Sequence, residues 1–145
     1  MSTTQLPDRL REVVEDFAAL PTDLRLQLLV EYADKVPALP QRYVDDHDQM
    51  EQVTECQAQF FLVAEVDDDG KVSMHFDCPP EAPTQRGFAG ILREGLEGAS
   101  AEDVLNVPQD FYHDMGLTDA VSLLRLRGLD AILARLKRQI REQLA

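Results

Sequence analysis

One segment in the middle of the chain, residues 57–77, constrains the fold more than any other because it has the pattern of a β-hairpin. Residues 57–66 are rich in apolar and aromatic side chains, and residues 67–70 form a turn signal of three Asp and one Gly. Apolar residues then alternate with polar ones at Val72, Met74 and Phe76. If Val66 and Lys71 flank the turn, Gln59 lies opposite Cys78, and Cys56 lies beyond that pair at the open end of the hairpin.

Helical periodicity is found on both sides of this hairpin. It predicts a helix over residues 8–20, a second that ends before Pro37, and a third that follows the hairpin and ends at Gly98. A last helix has the clearest apolar stripe, and its basic residues suit the negative end of the helix dipole: Arg135, Lys137, Arg138 and Arg141. Residues 37–52 show no clear period and are predicted to be an irregular connector. The pattern predicts one α+β domain, residues 1–145, in which a small antiparallel sheet has helices packed on one face.

Charge and composition restrict the possible partners. The 145 residues carry a formal net charge of −13, which argues against binding to nucleic acid or to an anionic membrane surface. No stretch approaches the ~20 apolar residues that cross a bilayer, and the N-terminal residues do not have the pattern of a secretion signal. Two cysteines are too few for a disulfide framework. We therefore expect a cytoplasmic protein without a nucleic-acid or membrane partner.

Cys56 stands where a polar run, residues 51–55, meets the first strand of the hairpin. A free cysteine is often a small buried hydrophobe, and that interpretation stays open. Another is a metal or iron–sulfur cluster scaffold, although the sequence lacks the paired spacing of a closed zinc site; its ligands would be Cys56, His75, Asp77 and Cys78. A disulfide between the two cysteines would require the loop to fold back, and we do not expect it. The three histidines stand outside any recognisable catalytic motif, so conventional turnover chemistry has little support.

Four short motifs occur in order along the chain. They are Cys56-Gln57-x-Gln59, a basic-Gly segment at residues 86–92, a segment at residues 111–117 that ends in Gly-Leu, and Ser122-x-x-Arg125-x-x-Gly128-Leu129. Each is weak alone, but in this order they resemble the SufE family of sulfur acceptors over roughly residues 10–142. The resemblance implies a SufE/IscU-like fold without a cofactor of its own. It also implies that Cys56 accepts persulfide sulfur from a pyridoxal-phosphate-dependent, SufS-like cysteine desulfurase, stimulates that enzyme, and passes sulfur to a downstream iron–sulfur scaffold.

The resemblance assigns further residues to partner binding or to support of the Cys56 thiolate: Glu55, Gln57, Gln59, Arg86 and Arg125. A thiolate near neutral pH needs positive potential, and we expect Arg125 or the partner's active site to supply it. The family usually has Gly where this chain has Glu55, and a carboxylate beside a thiol disfavours the thiolate. Ala58 and Arg127 likewise replace a common Ser and a common Asn.

Shelter for the cysteine in the free protein is a further implication of the resemblance, since an exposed persulfide is lost by exchange with other thiols. We predict that Val53 and Phe60 form this shelter and that docking moves the loop around residues 50–57. A third interpretation, from a different class, is an acidic interaction module in which the cysteine is incidental.

Overall fold

The structure of the protein, a computed structural model, describes residues 6–56 and 59–145. Within these ranges the helices are α1 (Asp8–Ala18), α2 (Thr22–Ala33), α3 (Gln41–Asp45), α4 (Pro83–Leu96), α5 (Ala101–Leu105) and α6 (Leu123–Leu144). The strands are β1 (Glu51–Gln52), β2 (Phe61–Val66) and β3 (Val72–Asp77). Short 3-10 turns occupy His47–Gln49, Thr54–Cys56, Phe111–Met115 and Leu117–Asp119. The long predicted helices are therefore present, and the first of them ends two residues early.

The strands form an antiparallel sheet in the order β1-β2-β3. The predicted hairpin is confirmed, and its register, which the sequence pattern fixes only to within one residue, is the one in which Val66 pairs with Val72 and not with Lys71. The cause is the turn, in which Asp67 N donates to Lys71 O at 2.9 Å and lengthens the loop. Gly70 adopts φ 77° in this loop, a conformation that favours glycine.

The predicted α+β fold is confirmed, because the long helices pack against one face of the sheet. Alternate strand residues point to that face and are buried: Leu62, Ala64, Val72, Met74 and Phe76. They belong to the same buried cluster as the apolar faces of α1, α4 and α6. The residues between them in β2 and β3 point to the opposite face and are partly exposed.

The long helix α6 also completes the edge of β2 that the two-residue β1 leaves open. Gln139 Oε1 accepts from Ala64 N at 2.8 Å, and Gln143 Oε1 accepts from Val66 N at 2.9 Å. Two side-chain amides thus satisfy backbone groups that a longer β1 would have paired. These bonds fix α6 relative to the hairpin.

Close contact between α2 and α4 depends on glycine in α4. A Cβ at Gly90 would lie 2.0 Å from Tyr32 O, and a Cβ at Gly87 would lie 2.4 Å from Leu29 O. Neither distance is physically possible, so both positions require glycine, which has a hydrogen atom where other residues have a Cβ. This explains why the basic-Gly segment stands at the beginning of α4.

The prediction of an irregular connector over residues 37–52 is wrong in part, since this segment contains α3, a 3-10 turn and β1. Its aromatic residues cover the second face of the hairpin. Tyr43 packs on His75 with ring centroids 5.4 Å apart, and His47 packs edge-on against Phe61 at 4.5 Å. In the described part of the chain, no helix has the length and apolar character needed to span a bilayer.

Candidate functional site

Cys56 ends the 3-10 turn that connects β1 to β2, and its side chain is only 2% exposed. Two backbone bonds close this connection: Val53 N donates to Phe60 O at 2.8 Å, and Cys56 N donates to Val53 O at 3.2 Å. Val53 and Phe60 are fully buried in the same cluster as Cys56, in agreement with the predicted shelter. The thiol therefore lies at the open end of the hairpin but faces inward.

Two helices hold Cys56 from opposite sides. On the α6 side, Cys56 Sγ lies 3.9 Å from Gly128 O, and a Cβ at Gly128 would come within 3.2 Å of the sulfur. On the α4 side, Gln85 Nε2 donates to Cys56 O at 3.1 Å. Sequence reasoning missed both roles. Gly128 was visible only as a member of a motif, and Gln85 gave no signal beyond its position beside Arg86.

An ion-pair cluster lies next to the thiol. Arg135 of α6 bonds to two carboxylates, through Nη2 to Glu55 Oε1 at 2.9 Å and through Nε to Glu51 Oε2 at 3.1 Å. Glu51 is bound in addition by Arg138 and by Gln139 Nε2, the latter at 3.0 Å. The connection before β2 is thus tied to α6 by charged side chains.

Burial raises the pKa of the Cys56 thiol to about 12, and the neighbouring Glu55 carboxylate contributes to the same rise. The basic side chain whose charge lowers the pKa of Cys56 is Arg135, in place of the predicted Arg125. Arg125 is exposed at the beginning of α6, where its backbone N–H donates to the Ser122 cap at 3.3 Å. The thiol is therefore protonated in the free protein at neutral pH.

An open groove runs along the surface beside Cys56. One wall comes from the beginning of α4, the other from the beginning of α6, and Glu55 and Cys56 lie between them. The lining includes Arg125, one of the predicted site residues, and Leu124, which is 48% exposed. The groove therefore presents apolar and charged side chains next to a thiol that is itself turned inward.

Of the other residues predicted to bind a partner or support the thiolate, Arg86 has its donors occupied within the chain. The Arg86 guanidinium is half-buried and donates to Ala33 O at 2.9 Å, Cys78 O at 2.7 Å and Val36 O at 3.4 Å. It therefore joins the end of α2 to the end of β3. Gln59 is exposed immediately before β2, and Gln57 lies outside the described residues.

The four candidate metal ligands do not converge. Cys56 and Cys78 are buried free thiols, whereas His75 and Asp77 lie on the opposite face of the hairpin. There His75 Nε2 is 3.1 Å from Glu65, and Asp77 is 2.8 Å from His47 Nε2. Among residues 6–56 and 59–145, no group of three or more His, Cys, Asp or Glu is placed to hold a metal ion. The alternation of β3 separates these side chains.

Cys78 has a chemical environment of its own. Its Sγ lies 3.8 Å from Arg86 Nη1, and burial raises its pKa to about 11 although the Arg86 charge opposes the shift. Arg86 is therefore associated with Cys78, whereas the resemblance had grouped it with the residues for partner binding or thiolate support.

Comparison with known proteins places this geometry in a family. The sequence model of the SufE family, described as an Fe–S metabolism associated domain, matches residues 11–140. An uncharacterised SufE-like protein of Mycobacterium tuberculosis is 49% identical over 137 residues, which are 94% of this chain and 94% of that protein. The solution structure of a hypothetical protein from Thermus thermophilus matches with a TM-score of 0.84 and 49% identity, over 96% of this chain and 98% of that one. The cysteine desulfuration protein SufE of Plasmodium vivax is 25% identical over 135 residues, which cover 91% of this chain and 52% of that protein.

Proposed function

This chain belongs to the SufE family of iron–sulfur metabolism, and from that membership we propose that Cys56 accepts persulfide sulfur from a cysteine desulfurase. The donor would be a pyridoxal-phosphate-dependent, SufS-like enzyme, whose turnover rises when its own cysteine is unloaded. The receiver of the sulfur would be an iron–sulfur scaffold in the cytoplasm. Residues 1–145 would perform both steps as one domain.

The observation that carries the proposal is the position of Cys56 between a buried cluster and an open groove. The side chain is turned into the cluster, while Glu55 and Cys56 also line the groove at the surface. A carrier needs both properties, since it must exclude small thiols from a bound persulfide and yet be reached by two partner proteins.

The transfer is an exchange between two sulfur atoms. Cys56 loses its proton to a base of the partner or to water, and its thiolate attacks the outer sulfur of the donor's persulfide. An S–S bond forms to Cys56 while the S–S bond of the donor breaks, and the donor's thiolate leaves with the bonding electron pair. Cys56 then carries the persulfide, and the desulfurase cysteine is free for the next turnover.

Burial makes this reaction slow unless the partner changes the surroundings of the thiol. The protonated thiol is a poor nucleophile, and its raised pKa follows first from burial. We infer that docking brings Cys56 out of the cluster into the donor's active site, where the pKa falls towards its ordinary value. Arg125, which lines the groove beside the thiol, and Gln59, which is exposed immediately before β2, are candidates for contact with the partner, and Gln57 remains one from the sequence alone.

The test compares two serine variants in a desulfurase assay. Sulfide release by a SufS-like enzyme is measured with excess cysteine, with and without the wild-type protein, Cys56→Ser or Cys78→Ser. We expect stimulation by wild type and by Cys78→Ser, and none by Cys56→Ser. Mass spectrometry of the intact protein should show added sulfur that maps to Cys56. Equal stimulation by wild type and Cys56→Ser would refute the proposal.

A further inference from the structure

We propose that Arg135 is a positioning residue that clasps Glu55 and thereby holds Cys56 in its closed position until a partner docks. The clasp itself is a property of the isolated protein, whereas its effect on sulfur transfer rests on the proposed function. Its consequence is that the exposure of the thiol is set by an ion pair between the connection before β2 and the middle of α6, two segments that are far apart in the sequence.

The geometry of the clasp is a single guanidinium between two carboxylates. Arg135 is only 21% exposed and reaches Glu55 at 2.9 Å and Glu51 at 3.1 Å. These two glutamates stand at the two ends of the short segment that precedes Cys56. A planar guanidinium with several fixed donors is suited to such bridging, and a lysine is not.

The Arg135–Glu55 clasp and the contact between Cys56 Sγ and Gly128 lie on the same side of α6. Gly128, against which Cys56 Sγ rests, precedes Arg135 by seven residues, which is about two helical turns or ~10 Å. Because Glu55 and Cys56 are adjacent, a backbone movement that carries Cys56 away from Gly128 also pulls Glu55 away from Arg135. The ion pair therefore resists the movement that exposes the thiol.

The base of the segment is held independently of the clasp. Glu51 keeps its contacts with Arg138 and with Gln139 when Arg135 is removed. Loss of Arg135 therefore removes the ion pair at the Glu55 end, where Gln85 and Val53 still hold the backbone of Cys56, and leaves β1 attached to α6. This makes Arg135→Gln a selective change, and it makes Arg138→Gln a matched control on the same helix, since Arg138 contacts Glu51 but makes no ion pair with Glu55 in the described structure.

The experiment uses two effects of Arg135 that have opposite signs. Its charge favours the Cys56 thiolate, so an electrostatic role alone predicts that Arg135→Gln reacts more slowly with an alkylating reagent. The clasp predicts the reverse, because the variant opens more often. The rate of Cys56 alkylation by iodoacetamide at about pH 8, where a minor fraction of a freed thiol is ionised, is followed by peptide mass spectrometry in the isolated protein and separates the two.

We expect Arg135→Gln to react about two- to fivefold faster than wild type, the range given by a partly exposed ion pair. Arg138→Gln should react at the wild-type rate, and in a Glu55→Gln background Arg135→Gln should add no further increase. Raising the salt concentration should speed the wild type and leave Arg135→Gln unchanged, because salt screens the pair. Circular dichroism of each variant checks that it is folded.

A rate for Arg135→Gln that is equal to or below wild type would overturn the clasp, and so would an equal increase in Arg138→Gln. A wild-type rate that does not respond to salt would also count against it, and that measurement needs no variant. None of these readouts involves a desulfurase. The clasp can therefore fail while Cys56→Ser still abolishes stimulation, and the proposed function can fail while the clasp stands.

Discussion

Alkaline pH should destabilise this protein through Cys56, because the folded state keeps that thiol protonated. Burial raises its pKa from 9.0 to about 12, whereas in the unfolded chain the thiol titrates near 9.0. Above pH 9.0 the unfolded state has therefore lost a proton that the folded state still holds. The free energy of unfolding falls with rising pH wherever this is so, and the window extends from 9.0 to about 12.

The size of the effect follows from these two pKa values. Between about pH 8 and about pH 10 the unfolded thiol changes from mostly protonated to mostly ionised, while the folded thiol stays protonated. Integrated over this interval, the loss is about 1.4 kcal/mol, equivalent to one pKa unit. Cys78, with a pKa raised to about 11, adds a loss of similar size.

Three tyrosines also have raised pKa values and act in the same direction: Tyr32, Tyr43 and Tyr112. They are present in wild type and in Cys56→Ser alike, so the comparison of these two proteins cancels their contribution. The assay is urea unfolding under reducing conditions at about pH 8 and about pH 10. Wild type should lose about 1.4 kcal/mol more than Cys56→Ser between the two pH values.

Cys78→Ser is the matched control. Each single variant should lose less stability than wild type between the two pH values. In the double serine variant this reduction should be about twice that in either single variant, because the two thiols contribute independently. If wild type and Cys56→Ser lose the same stability between the two pH values, the thiol is not held in its protonated form. The argument that a partner must draw Cys56 out of the cluster before it can ionise would then be refuted.

Two further changes test the packing and the groove. Gly90→Ala should lower the free energy of unfolding by about 3 kcal/mol in urea, because the added carbon meets Tyr32 O. This overpacking exceeds the ~1 kcal/mol that alanine gains in helix propensity. Unchanged stability would mean that α2 and α4 are not in close contact. Leu124→Asp should raise the concentration needed for half-maximal desulfurase stimulation by roughly tenfold, because the side chain lines the groove. Leu144→Asp, 55% exposed at the other end of α6, is its control and should change nothing.

The features that depend on local pattern could be predicted from the sequence. Alternation in residues 72–77 predicted the hairpin, and the junction between a polar run and an apolar strand placed Cys56 at its open end. The pattern fixed the register only to within one residue, because hydrogen bonds inside the turn, and not the apolar pattern alone, set the length of the loop. The two-residue β1 was too short to leave a periodic signal.

The roles of the basic residues could not be predicted from the sequence, because they depend on contacts between distant segments. In the sequence, the helix dipole alone explained Arg135 and Arg138, because both stand in the C-terminal part of a helix. In the structure both pair with Glu51. Arg125 was selected as thiolate support because it belongs to a motif, but a motif does not say which face of α6 meets Cys56. Arg86 satisfies buried backbone carbonyls, a need that arises only when α2, α4 and β3 are packed together.

The replacement of the usual Gly by Glu55 acquires a physical meaning in this structure. A carboxylate next to Cys56 makes the thiolate less favourable, which alone would be a disadvantage for a sulfur acceptor. The same carboxylate pairs with Arg135, whose charge acts in the opposite direction on the thiol. On the proposed role of Arg135, the closed position of Cys56 depends on side chains that a charged partner surface can compete for, and a partner that takes Glu55 from Arg135 would release the thiol in the partner's own active site.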